Sequence, residues 1–102
     1  MTRRIVWSAD ALDDLDGAVA YIAERNPAAA RRVVAAIIRV VERLGRQSTG
    51  RRGRVPGTYE AVVPRLPYIV AYALTPRGQG EAVFVLRVIH GARDWRTGRW
   101  PR

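Results

Sequence analysis

The segment Glu81-Ala-Val-Phe-Val-Leu-Arg-Val-Ile-His90 constrains this chain more than any other. Its valines, phenylalanine, leucine and isoleucine read as a strand, and it holds a single arginine before it stops at Gly91-Ala92-Arg93-Asp94-Trp95. A guanidinium cannot shed its charge, so Arg87 has to reach a carboxylate, a fan of carbonyls, water or a partner's acidic group. Two readings stand: a buried structural pair, and a binding or catalytic role.

A chain of 102 residues makes one domain, and 48% hydrophobic residues suffice for a core. No segment is apolar enough to span a bilayer. Arg3 and Arg4 are followed by Ser8 and Asp10 before any long apolar stretch develops, so no secretory signal is expected and a cytoplasmic location is. The absence of cysteine excludes disulfides, thiolate chemistry and Cys-based metal sites, and one histidine, His90, excludes a His-rich site. No cofactor or metal is expected.

The net charge is +9, and all 18 basic residues are arginines. Planar contacts to phosphate or carboxylate would favour arginine. A GC-rich coding bias does so as well and is the simpler cause. Either way, such a domain prefers an acidic partner.

Arg3–Trp7 reads as a short strand ended by Ser8, which caps a helix through its hydroxyl, with Trp7 and Leu12 in the staple positions. That helix runs to about Asn26. Leu12, Leu15, Val19 and Ile22 share one face, while Asp10, Asp13, Asp14 and Asp16 crowd the first two turns, where the helix dipole favours negative charge. This acidic cluster reads as a solvated face rather than a metal site. Asn26-Pro27 is a cap followed by proline at the first helical position, so a second helix follows directly and ends near Leu44, making an αα-hairpin. Ala30, Val34, Ile37, Val41 and Leu44 keep helical spacing, and Val33, Ile38 and Val40 broaden the stripe.

Residues 45–57 form the only long loop, with four arginines and no acid. Three strands follow, Thr58–Val63, Tyr68–Thr75 and Glu81–His90, joined by turns at 64–67 and 76–80. The expected fold is α+β: an N-terminal strand, a two-helix hairpin and a three-stranded antiparallel meander. A single domain over 1–95 and a basic tail at 96–102, too polar and short to pack by itself, complete the organisation. In that tail region Trp95 and Trp100 alternate with Arg93, Arg96, Arg99 and Arg102, a pattern suited to anchoring a protein partner.

Three stretches carry a resemblance over nearly the whole chain, from Trp7-Ser8 to Trp95. They are Val55-Pro-Gly-Thr-Tyr-Glu60, then Val63-Pro-Arg-Leu-Pro-Tyr-Ile-Val-Ala-Tyr72, then Leu86-Arg-Val-Ile-His-Gly-Ala-Arg-Asp-Trp95. In this order the chain resembles the ParE branch of the RelE/ParE toxins, the toxin halves of bacterial type II toxin–antitoxin modules. Tyr59 departs from the family, which commonly has arginine before the glutamate, and the basic tail is extra.

The resemblance implies one of two activities: ParE-like poisoning of DNA gyrase, or RelE-like cutting of mRNA on the ribosome. Cleavage needs a base, an acid and cations for the developing phosphorane. Only Glu60 as base, His90 as acid and Arg65 with Arg87 as stabilisers fit those roles. Strand parity opposes the team, because Arg87 and His90 are three apart and point to opposite faces unless a bulge intervenes. Glu60 serves as simply as an ion-pair partner for Arg87. The gyrase reading is therefore preferred, with Arg51, Arg52, Arg54, Arg65, Arg87, His90, Arg93 and Trp95 as target-binding candidates. A ParD-like antitoxin with an acidic, amphipathic C-terminal segment is expected on Leu15, Val19, Ile22, Val34, Ile37 and Val41. Direct nucleic-acid binding is expected only through the antitoxin complex, and no membrane role is.

Overall fold

The computed structural model describes residues 3–47, 50–75, 81–93, 95 and 98–101. In chain order they form β1 (Arg4–Trp7), α1 (Ala9–Ala23), α2 (Pro27–Leu44), β2 (Arg51–Arg52), β3 (Tyr59–Val62), β4 (Tyr68–Leu74) and β5 (Ala82–His90). The helical boundaries follow from their caps. Ser8 Oγ accepts the Ala11 N–H at 3.0 Å, and Asn26 Oδ1 accepts the Ala29 N–H at 3.1 Å with Pro27 behind it. Asn26 thus belongs to the start of α2, and α1 ends three residues earlier than expected.

The five strands form one sheet in the order β1-β5-β4-β3-β2. The antiparallel meander β3-β4-β5 is as expected. Two features are additions to it: β1 lies parallel to β5, with Arg4 opposite Ala82 and Trp7 opposite Val85, and the arginine-rich loop supplies β2, with Arg51 opposite Glu60. The β2–β3 turn follows from Val55-Pro56-Gly57-Thr58. Proline sets the first corner, Gly57 takes φ of 82° at the second, and the Thr58 N–H closes on the Val55 carbonyl at 3.2 Å, as a type II turn requires.

Helix α2 turns Ile37, Val41 and Leu44 onto the sheet, where they meet Val70, Tyr72, Val83, Val85 and Val88. Helix α1 adds one fully buried residue to this core, Ala11. The decisive detail lies in β5. Tyr72 faces Val85 but Ala71 faces Arg87, so Leu86 is an extra residue, a bulge. With strict alternation Val83 and Val85 would be followed on the core side by Arg87. The bulge shifts the period by one residue, gives the core position to Val88 and carries the guanidinium out to the edge of the sheet.

The other face of the sheet is also covered: Ile69, Ala71, Ala82 and Ile89 are buried outside the main core. At the C-terminus Pro101 is buried and Trp100 Nε1 is shut off from solvent. Burial suits this apolar Trp-Pro pair. The turn at 76–80 lies outside the described residues, as do Asp94, Arg96 and Arg102. No helix among the described residues is long and apolar enough to cross a membrane.

Candidate functional site

Arg87 is clamped. Its Nε donates to Asp14 Oδ2 at 2.7 Å and its Nη2 to Asp14 Oδ1 at 3.1 Å, while the Val88 N–H donates to the same Oδ2 at 2.9 Å. The reason is topological. β1 ends at Trp7, so beyond Val85 the strand β5 has lost its neighbour, and α1 supplies the missing acceptors and donors. Ser8 N–H reaches the Val85 carbonyl at 2.9 Å, Ser8 Oγ–H the Leu86 carbonyl at 2.9 Å, and Asp14 the Val88 N–H. The hydrogen bonds to Asp14 raise the Arg87 pKa against a smaller desolvation effect. Arg87 is therefore an internal tie between α1 and β5, and the expected pair with Glu60 does not form. Glu60, Ala71 and Arg87 lie in one row across the sheet. They are two strand spacings apart, roughly 9–10 Å, and Asp14 lies closer.

Glu60 is buried, 1% exposed, and is held by the arginine hairpin. Its Oε2 accepts the Arg54 N–H at 2.8 Å, and its Oε1 lies 3.4 Å from Arg51 Nη2 and 3.8 Å from Arg54 Nε. The Arg54 guanidinium in turn stacks on Trp95 at 4.0 Å. This assembly rigidifies the hairpin from beneath and leaves the outer parts of Arg51, Arg52 and Arg54 in solvent. Arg65 projects from the next hairpin, where it is exposed and takes φ of 64°. His90 faces Tyr68 across the ladder in an edge-on contact at 5.4 Å, and its Nδ1 accepts the Ala92 N–H at 3.1 Å.

The four residues of a cleavage team are thus dispersed. The bulge precedes Arg87, so Arg87 and His90 keep opposite parity. Glu60 is consumed by Arg51 and Arg54, and Arg87 by Asp14. Arg51, Arg52, Arg54, Arg65 and Arg93 do share exposure. Among the described residues no group of histidine, cysteine and carboxylate is placed to hold a metal ion.

On the helical hairpin, Val19, Ala23, Pro27, Val34, Ala35 and Ile38 line an apolar groove of about 480 Å³. A second hollow of about 330 Å³ joins it at Ile38 and includes Trp7, Leu12 and Leu15. Leu12 is 46% exposed and Ile38 37% exposed, so an apolar seam runs along the outside of the two helices. Of the six residues expected to take an antitoxin, Val19 and Val34 line the groove, and Leu15 and Val41 the adjoining hollow. Ile22 lies instead in a separate cleft of mixed polar and apolar lining. Ile37 is fully buried in the core, and Val41, 1% exposed, is a core residue that also forms the floor of that hollow. A stripe as broad as that of α2 does not disclose which edge meets the sheet. Asp14 was missed for a related reason: nothing local separates it from the three other aspartates of α1.

A profile described as the ParE toxin of the type II toxin-antitoxin system parDE matches residues 5–95. A curated protein of Sinorhizobium fredii, named Putative toxin Y4kP, is 38% identical over 94 residues, which cover 91% of this chain and 93% of that one. The solved structure titled Chromosomal ParDE TA system from P. aeruginosa superposes with a TM-score of 0.72 at 22% identity, over 87% of this chain and 96% of that one, a likeness of fold.

Proposed function

Since the chain belongs to the ParE toxin family of type II toxin–antitoxin systems, we propose that it inhibits DNA gyrase and is neutralised when a ParD-like antitoxin lays an amphipathic segment along the helical seam. The observation that carries the antitoxin half is the seam itself. Leu12 and Ile38 stand exposed beside two connected apolar hollows on a protein of net charge +9. An amphipathic helix in a groove buries such anchors, and acidic residues on its flanks meet the surrounding arginines, Arg31 among them. The structure titled as a ParDE system supports an antitoxin partner by analogy.

For the target, the exposed arginines of the β2–β3 hairpin, Arg65 and Arg93 form the favoured contact surface, with Trp95 acting through Arg54. Arg87 drops out because Asp14 consumes its donors. The mRNA-cutting alternative has no assembled set of acid, base and cations behind it, since Glu60 is buried under two arginines. In the gyrase reading the protein acts by occupying a site on the enzyme.

Ile38→Glu tests the antitoxin half. This exposed position tolerates a charge with a stability change within about 0.5 kcal/mol, whereas a carboxylate inside the seam repels an acidic, apolar segment. The expected result is a soluble, toxic variant that the product of the neighbouring reading frame neither co-purifies with nor neutralises. Full rescue of growth by that neighbour would remove the seam from the interface.

A further inference from the structure

Among the described residues, the charged side chains that line the apolar seam are Arg31 in the groove and Glu42 in the hollow beyond Ile38. They lie eleven residues apart on α2, close to three helical turns, so both point to the same side of the helix, roughly 16 Å apart along its axis. Val34, Ala35 and Ile38 stand between them. The outer stripe of α2 is thus an apolar row with a cation at one end and an anion at the other.

The stability of α2 does not account for this order. A helix macrodipole favours acids near the N-terminus and bases near the C-terminus, yet Glu42 sits in the last turn and Arg31 near the start. Both side chains are exposed, and neither makes an ion pair or side-chain hydrogen bond among the described residues. Arg39 and Arg46 stand three and four residues from Glu42, the steps that permit pairing on a helix, but neither pairs with it and neither lines a hollow. On α1 the stripe of Leu12 and Val19 includes Asp16, which is exposed and has the sign of Glu42.

We propose that Arg31 and Glu42 fix the charge order of the antitoxin segment that the seam accepts: a carboxylate at the Arg31 end, a cation at the Glu42 end, and apolar anchors between. This rests on the reading of the seam as the antitoxin site, and it adds which way round the segment lies and which antitoxins are refused. A segment that is acidic throughout brings a like charge against Glu42, and so does a cognate segment laid in reverse. Spanning the two residues takes about eleven residues of helix or about five of extended chain. At the rim of an interface such charges choose the partner, while the apolar anchors supply the affinity.

The test measures binding of the product of the neighbouring reading frame, the same probe as for Ile38→Glu, to charge-reversed toxins by calorimetry at low and high salt. Arg31→Glu and Glu42→Arg each weaken binding about tenfold at low salt and less at high salt. The control Arg39→Glu, off the seam, stays within about twofold of wild type. Both seam reversals place charge as the α2 dipole prefers, so unfolding does not explain the loss. Glu42→Arg is the sharper of the two, because it adds positive charge to a protein of net charge +9 and plain attraction of an acidic partner would tighten binding. Antitoxin variants selected to restore growth against Glu42→Arg exchange a basic residue for an acidic one, and those selected against Arg31→Glu do the opposite. Unchanged or tighter binding by Glu42→Arg, or rescuers altered only in apolar anchors, with Ile38→Glu still abolishing the complex, would overturn this proposal and leave the seam standing. Undisturbed binding by Ile38→Glu would instead remove the seam, and the charge order with it.

Discussion

Replacing Glu60 by glutamine separates a structural carboxylate from a catalytic one. Three contacts meet on it: the Arg54 N–H at 2.8 Å, Arg51 Nη2 at 3.4 Å and Arg54 Nε at 3.8 Å. Arg51 is 59% and Arg54 40% exposed, so water screens both guanidiniums and each ion pair contributes well under about 1 kcal/mol. The short bond to a backbone N–H, accepted by a carboxylate that is 1% exposed, carries most of the energy. A charged hydrogen bond contributes about 1.5–3 kcal/mol and a neutral one about 0.5–1.5 kcal/mol. Glutamine retains the neutral bond, so Glu60→Gln costs about 1–2 kcal/mol, a fall of roughly 5–15 °C in melting temperature for a domain of this size. Glu60→Ala removes the acceptor altogether and opens a void, at about 3 kcal/mol, whereas Arg51→Met costs about 0.5 kcal/mol or less. Melting curves and growth inhibition measured together decide the matter, with toxicity falling only in proportion to folded protein. A Glu60→Gln variant that melts like wild type yet is harmless would refute the structural assignment, and so would an Arg51→Met variant that costs as much as Glu60→Gln.

Asp14→Ala leaves both Arg87 and the Val88 N–H without their acceptor and should cost about 2–4 kcal/mol by chemical denaturation. The neighbouring exposed Asp13→Asn should stay within about 0.5 kcal/mol of wild type. The raised Arg87 pKa sets the sign of the alkaline response. A group whose folded value is raised stabilises below its unfolded value and loses that contribution only as pH rises through the folded one. Stability measured against pH should therefore show no loss from this pair until the solution passes the ordinary arginine range. Arg65 occupies the left-handed region at φ of 64°, which costs a non-glycine residue roughly 1 kcal/mol. Arg65→Gly should leave thermal stability unchanged or raised while lowering toxicity in a growth assay, because the guanidinium faces solvent and belongs to the surface proposed to meet the target.

The helices, their caps and the antiparallel meander are local properties, and Ser8, Asn26-Pro27 and the strand-like valine runs disclose them. The parallel pairing of β1 with β5 is not local. Arg4 and Ala82 meet across almost the whole chain, and no residue type in either strand specifies the other. Parity placed Arg87 and His90 on opposite faces, and the bulge at Leu86 preserves that relation because it comes before both. What parity could not reveal is that this bulge removes Arg87 from the core, or that Asp14, 73 residues away in sequence, receives it. Val55-Pro56-Gly57 marks a turn, yet the two residues of β2 depend on Glu60 lying beneath them, a contact that exists only once β3 is in place. The antitoxin candidates divided for the same reason: Val19 and Val34 reach the groove while Ile37 fills the core, and periodicity alone assigns all three to apolar faces.

The most direct test is a supercoiling assay with purified gyrase, relaxed plasmid and this protein, with and without the proposed antitoxin. The expected result is that supercoiling stops, that cleaved DNA accumulates, and that the antitoxin restores activity in proportion to the toxin it binds. Unimpaired supercoiling at concentrations that arrest growth, accompanied by cleavage of mRNA on ribosomes, would contradict it.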